Sequence, residues 1–204
     1  TDAGVFDIDG TSGVLTFKSA PDFETKIDSN TDNDYIVIVT VTDSGSNTDS
    51  QTLTITVTNV DDIDPVITSN GGGSTAGINF AENSTSAVTT VTSTDVDNLS
   101  GTTYSISGTD AGVFDIDGTS GVLTFKSAPD FETKIDSNTD NDYIVIVTVT
   151  DGALTDTQTL TITVTDVNEV PVITSNGGGS TGSISFAENN TAAVTTVTST
   201  DVDA

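Results

Sequence analysis

YIVIVTVTDGALTDTQTLTITVTDVNEVP, residues Tyr143–Pro171, alternates apolar and hydroxyl side chains twice, breaks once at Gly152, and runs into acid before a proline. A period of two is the signature of a strand with one buried and one solvated face. The Thr-Asp-Gly break between the two runs is turn chemistry, so the stretch reads as two adjacent strands. The same alternation recurs at Ser86–Thr92, Thr102–Ser107, Gly121–Phe125, Tyr143–Thr150 and Thr157–Thr165. The segments between them are rich in Gly, Asn, Asp and Pro: SNGGGST, DGTSG, SAPD, DSNTDND. No stretch keeps helical spacing over ten residues. About seven short strands at this spacing predict an all-β, two-sheet sandwich.

The chain repeats itself. Residues 1–43 recur unchanged at 109–151, PVITSNGGGST at 65–75 recurs at 171–181, and FAEN at 80–83 recurs at 186–189. The interval from Pro65 to Pro171 is 106 residues, too long for a solenoid unit and right for a whole small β domain. The expected organisation is the C-terminal part of a repeat at 1–64, a complete repeat at 65–170 and the N-terminal part of another at 171–204. Neither outer piece has enough strands to bury an apolar face alone. Either the residues belong to a longer array, or the partial repeats of neighbouring copies complement each other. A composite of the second kind would lack the equivalent of Leu99–Gly108.

Charge sets the next constraint. Asp and Glu number 31 against 4 basic residues, a net charge of -27, with no Cys, His, Met, Trp or Arg. Such one-sided charge opposes a compact state unless it is neutralised, and it disfavours nucleic acid and anionic membranes as partners. Without Cys there is no disulfide framework and no thiolate metal site. No apolar run approaches the ~18 residues that would span a bilayer. An export signal, if the chain is exported, lies outside these residues.

The acid clusters at strand ends. Glu82, Asp130, Glu132, Asp166 and Glu169 fall at one pole of the complete repeat if the strands run up and down. Asp95, Asp97 and Asp151 fall at the other, so end-to-end stacking would bring the two acidic poles together. Six or more carboxylates at one joint cannot stay ionised and dry without a cation. A hard divalent ion fits, and Ca²⁺, which takes 6–8 oxygens in irregular geometry, fits better than Mg²⁺. Zn²⁺ and Cu²⁺ favour His or Cys, which are absent.

These motifs resemble a known family. FAEN resembles the xEN element of cadherin repeats, PDFE their D-R-E, TDVDN their D-x-D, TVTD their A-x-D, and DVNEVP their linker D-x-N-D-N-x-P. SNGGGST, GVFDIDGTSGVLTF and PDFE are more similar still to cadherin-like repeats of large bacterial surface proteins and adhesins. The resemblance implies Greek-key, immunoglobulin-like sandwiches stacked end to end, with Ca²⁺, usually three ions, at each joint. At the second joint it implies ligands Glu82, Asp130, Glu132, Asp166, Asn168 and Glu169, with Asp201 and Asp203 from the next unit. At the first joint it implies Asp22, Glu24, Asp61 and Asp62, with Asp95, Asp97 and Asp151 from the unit above. The second joint's missing TVTD aspartate could come only from Asp43 of a neighbouring copy. Four features depart from the pattern. Glu169 and Val170 replace Asp and Asn, Asn59 stands in the leading acidic place of the first linker, and one extra residue leaves Asp64 as a further ligand.

The implied function is a calcium-rigidified stalk or filament segment of a secreted or cell-surface protein. Its partners would be neighbouring repeats, head-to-tail copies or cell-surface ligands, with no direct membrane insertion. A Ca²⁺-dependent carbohydrate-binding module is the alternative. It would expose Trp or Tyr, whereas Phe80, Phe114, Phe125 and Tyr143 sit in strand patterns that read as core. Catalysis lacks a nucleophile–base pair, and the isolated lysines Lys18, Lys26, Lys126 and Lys134 supply none. DSNTDND imitates an EF-hand start but lacks the Gly and Glu such a loop needs, and DIDG reads as a turn.

Overall fold

The computed structural model describes residues 1–97 and 101–203, so Asn98 and Leu99 of the expectations above lie outside the described residues. The first segment holds β1 (Phe6–Ile8), β2 (Leu15–Phe17), β3 (Asp34–Thr42) and β4 (Thr48–Thr56). The middle segment holds β5 (Val66–Ile67), β6 (Thr75–Ala81), β7 (Thr89–Thr90), β8 (Ser93–Thr94), β9 (Thr103–Ser107), β10 (Phe114–Ile116), β11 (Val122–Phe125), β12 (Asp142–Thr150) and β13 (Thr155–Thr165). The last segment holds β14 (Val172–Ile173) and β15 (Ser199–Thr200). All helix among the described residues is confined to three single 3₁₀ turns, and none is long and apolar enough to cross a membrane.

In the middle segment β6-β13-β12-β9 form one sheet and β10-β11-β7 face it. The opening stretch of the sequence is the β12–β13 hairpin, paired from Asp142↔Thr163 to Thr150↔Thr155. Its alternation does what period two requires. Tyr143, Val145, Val147, Val149, Leu160, Ile162 and Val164 all point into the core. Across from them Phe114 and Phe125 lie 4.3 Å apart, and Tyr143 meets Phe125 edge-on at 5.3 Å. Edge-to-face contacts of this kind suit the ring quadrupole and add to area burial. The aromatic residues expected in the core are there.

Two expectations change. The strand read at Ser86–Thr92 is instead two short ones: Thr89–Thr90 pairs with β11, and Ser93–Thr94 pairs with β5. The chain switches ladders at Val91, whose N–H donates to the Gly121 carbonyl. Nor do the strands run simply up and down. β6 joins β13 in parallel, Thr159↔Thr75 to Thr165↔Ala81, and this strand, which begins at the last residue of the SNGGGST loop, is not among those the alternation picks out.

The corner at Val91 carries a prediction. A Cβ on Gly121 would sit 2.1 Å from the Val91 carbonyl oxygen, whereas one on Gly13, at the same sequence position of the first segment and with nearly the same φ, meets nothing. Gly13→Ala should cost about 1 kcal/mol of left-handed backbone strain. Gly121→Ala should cost about 3 kcal/mol more, because a backbone clash is added. Equal shifts in the urea midpoint would refute this account of the corner.

The first segment repeats the hairpins β1–β2 and β3–β4 over a smaller core of Phe6, Tyr35 and Val37. The DSNTDND loop closes on itself in both copies. Asp136 accepts from the Asp140 and Asn141 N–H groups, Asp28 from those of Asp32 and Asn33. Asp9 and Asp117 likewise accept backbone N–H groups two and three residues on, as turn aspartates do.

Candidate metal centres at the two acidic joints

The first joint gathers the linker Asn59–Asp64, the Asp95–Asp97 turn and the turn after β12. Asp97 is 3% exposed, and its Oδ2 accepts from the Asp62 and Ile63 N–H groups at 2.7 and 3.0 Å. Asp151 Oδ1 accepts from the Ala153 and Leu154 N–H groups, and Asp95 Oδ1 from the Asp97 N–H. One oxygen on each of these three aspartates is thereby committed, that of Asp97 to the linker and those of Asp95 and Asp151 to their own turns. The other oxygens are not: Asn59 Oδ1, Asp61 Oδ1, Asp95 Oδ2, Asp97 Oδ1 and Asp151 Oδ2 are all buried with no hydrogen-bond donor among the described residues. Buried acceptors are ordinarily satisfied, so five bare oxygens at one joint are a cost that the protein alone leaves uncompensated.

The same crowding displaces the carboxyl pKa values. Burial, then Asp151, Asp97 and Asp62, push the Asp61 carboxyl up. Burial and the Asp97 carboxyl push Asp95 up. Burial works against the Asp97 charge too, but the Asp62 and Ile63 N–H groups and Asp95 outweigh it and hold Asp97 low. Of the two, Asp97 is the carboxyl that ionises first.

At the second joint carboxylate oxygens of Glu82, Glu132 and Asp166 lie within 4.8 Å of one another, as do those of Glu132, Glu169 and Asp203. Glu82 is 3% exposed and is set by β6: Oε1 accepts from the Val167 N–H and Oε2 from the Phe131 N–H, both at 2.8 Å. Asp203 Oδ2 accepts from the Glu169 N–H at 2.7 Å, tying the next segment to the linker. Glu169 Oε2 and Asp203 Oδ1 are buried and bare. A cavity of about 170 Å³ lies among Glu82, Asp130, Glu132 and Glu169. Burial, then the Asp203 carboxyl and Glu82, push Glu169 up to about 7. Glu132 and Asp166 are raised by burial and by the carboxylates around them.

The other expected ligands are placed less closely. Asp130 lines the second cavity while its Oδ1 accepts from Thr133. Asp201 Oδ1 accepts from the Asp203 N–H. Asn168 turns its amide to the Glu169 carbonyl. Asp22 caps its own turn through the Glu24 and Thr25 N–H groups, and with Glu24 and Asp62 it lines a cavity of about 460 Å³ below the first joint. Asp64 is exposed. Asp43 is held in the β3–β4 turn by the Asn47 N–H and amide. Two side chains left out of the expected ligands also belong here. Asn59 contributes a bare oxygen, and Asn83 donates to Glu169 Oε1. The Asn of FAEN was the available signal for the second.

The donor set is all oxygen, anionic and partly dry, which suits a hard cation such as Ca²⁺. Without one, the sign of the pH dependence follows from the raised carboxyls. A carboxyl held up to about 7 when folded, against 4.5 when unfolded, contributes stability that is complete below about pH 4.5 and lost as pH rises through about 7. Asp61, Asp95, Glu132 and Asp166 are raised in the same sense. In chelator the thermal midpoint should therefore fall from about pH 5 to pH 8. A level or rising midpoint across that range would contradict the crowding.

Residues 77–165 match the family model described as the cadherin domain. No curated protein sequence matches the chain. Among solved structures, a protocadherin gammaB7 EC3-6 cis-dimer aligns at TM-score 0.63 and 25% identity, over 97% of this chain and 48% of that one. Mouse cadherin-23 EC22-24 aligns at TM-score 0.58 and 24% identity, over 80% of this chain and 50% of that one. Protocadherin gamma B2 extracellular cadherin domains 3-6 align at TM-score 0.62 and 18% identity, over 97% and 49%. This chain thus spans about half the length of each, and the likenesses at 24% and 18% speak to fold alone. The family match, the sandwich topology and the acid at both poles agree over residues 77–165, which form a cadherin-like repeat.

Proposed function

We propose that this chain is a calcium-stiffened spacer of an extracellular, surface-attached or secreted protein, in which Ca²⁺ at each joint locks one unit onto the next. The reading divides the chain at Pro65 and Pro171, into 1–64, 65–170 and 171–204. One observation carries it: the five bare, buried oxygens of Asn59, Asp61, Asp95, Asp97 and Asp151 come from two sides of a single joint. Asn59 and Asp61 belong to the linker, while Asp95, Asp97 and Asp151 belong to the unit above. An ion that bonds both sets binds the aligned joint better than a bent one and shifts the population towards a straight rod.

At the second joint Glu82, Glu132, Asp166, Glu169 and Asp203 would hold the ion. The chain's own part in this is positional. β6 delivers Glu82, the Val167 and Phe131 N–H groups fix its two oxygens, and the Glu169 N–H fixes Asp203. The partners in this reading are the neighbouring units of an array. Isothermal calorimetry of the chelator-stripped chain with CaCl₂ tests it. Saturable binding at both joints is expected, with weaker binding of Mg²⁺. The absence of calcium heat would leave an acidic spacer whose joints are held by packing.

A further inference from the structure

In an array the middle unit is pulled at Pro65 and at Pro171, so tension enters through β5 and leaves through the end of β13. β5 is held lightly, by two paired positions on β8 and by the Ile67 N–H on Asp156. The SNGGGST loop comes next, with Asn70, Gly71 and Gly72 at positive φ. One fully buried side chain pins that loop to β13. Gln158 donates its amide to the Ser69 and Gly73 carbonyls and accepts from the Asn70 amide, while Asn70 accepts from the Thr89 hydroxyl. A buried amide with its donors and acceptor all engaged fixes its surroundings instead of costing stability.

Beyond the loop the chain enters β6, and β6 lies directly on the strand from which tension leaves. The two are parallel over seven positions, Thr75↔Thr159 to Ala81↔Thr165. Bonding runs past both ends: the Thr159 N–H donates to the Ser74 carbonyl and the Glu82 N–H to the Thr165 carbonyl. Pulling β6 by its N-terminal end and β13 by its C-terminal end slides the strands past each other along their own axes. The evenly spaced bonds of a parallel ladder are then strained together, and none breaks first by peeling. An antiparallel pair pulled apart from one end opens one pair at a time. The β12–β13 hairpin offers that weaker geometry, but tension from Pro65 meets the β6–β13 ladder before it.

We propose that the β6–β13 ladder is a shear clamp that bears the tension of the array, with the Gln158 amide as a latch in front of it. β5 and the loop yield first. Residues 66–74, at ~3.3–3.6 Å each, then release at most about 30 Å while the β6–β13 ladder stays closed. The clamp itself involves no ion: calcium stiffens the joints between units, and the ladder sets the force that one unit withstands. The inference rests on the spacer reading for where tension is applied.

Single-molecule stretching of the chain in chelator tests it, with handles placed on introduced cysteines because the chain has none of its own. Val66→Cys with Val170→Cys, both at exposed side chains, pulls the ladder in shear. Ser137→Cys with Val170→Cys pulls the start of β12 from the end of β13 and opens the hairpin pair by pair. The shear direction should need roughly twice the force or more, since forced unfolding follows the unfolding barrier and that barrier now spans the whole ladder. Two prolines then separate the ladder from the strand. The bonds at Ser74 and Glu82 set an alternation that turns the Ala76 N–H towards β13 and the Gly77 N–H away, on the edge of the sheet. In shear, Ala76→Pro should lower the force by about half, and Gly77→Pro should lower it far less. Equal forces in the two directions overturn the proposal, and so do equal effects of the two prolines. The comparison of directions stands even if a proline variant fails to fold, because it changes nothing inside the ladder. High shear force without calcium heat would remove the calcium reading and leave the clamp; calcium heat with equal forces would do the reverse.

Discussion

Calcium at about one hundred times its dissociation constant should raise the thermal midpoint of the chelator-stripped chain by roughly 10–20 °C. The estimate takes about 2.7 kcal/mol per occupied site and about 4–8 °C per kcal/mol for a domain of this size. The direction comes from what the joints lack. Among the described residues five bare oxygens at the first joint and two at the second lack a donor, and burial, with the neighbouring carboxylates, pushes Glu132, Asp166 and Glu169 up. A divalent ion converts that repulsion into bonds, and it binds only where folding has brought the oxygens together. The same titration followed by small-angle scattering should show the maximum dimension growing as the joints straighten. A midpoint that moves by less than a degree, or an unchanged dimension, would mean that these clusters bind no structural ion.

Much of the fold was legible because its strands alternate. Tyr143–Thr150 and Thr157–Thr165 were read within two residues of β12 and β13, since a buried face against a solvated one imposes period two on the sequence. β6 was missed for a different reason: Gly77 and Asn79 keep the alternation but are poor strand formers, and its pairing is parallel to a strand about 80 residues away. No local signal carries such a pairing. The corner at Val91 was missed because hydrogen-bonding partner, not composition, decides where Thr89–Thr90 ends and Ser93–Thr94 begins.

The acidic poles were legible as composition at strand ends, and Glu82, Asp97 and Asp151 all fall inside clusters. What the sequence does not carry is which oxygen of each carboxylate is already spent. Asp97 spends one on two linker N–H groups, while Asp22 spends its Oδ1 on its own turn. Such divisions are made by loop geometry. They separate residues that face an ion from residues that only lie near one.

The substitution Asp61→Asn distinguishes ion binding from mere crowding, because its effect should change sign with calcium. Asp61 is the linker carboxylate whose charge is opposed by burial first and then by Asp151, Asp97 and Asp62. Its Oδ1 accepts no hydrogen bond, so replacing the carboxylate by an amide breaks no contact in the metal-free chain. Removing one of several like charges should therefore raise the midpoint in chelator at pH 7. In calcium the same change takes away an anionic ligand, and affinity at the first joint should fall about ten-fold or more. Asp117→Asn, in the β10–β11 turn, should move neither quantity in this crossed fashion, since its carboxylate only accepts from groups of its own loop. If Asp61→Asn stabilises the chain equally with and without calcium, the first joint is an electrostatic fault that no ion repairs. If the sign reverses, the acid of the linker is there to be neutralised, and stiffness is what the neutralisation produces.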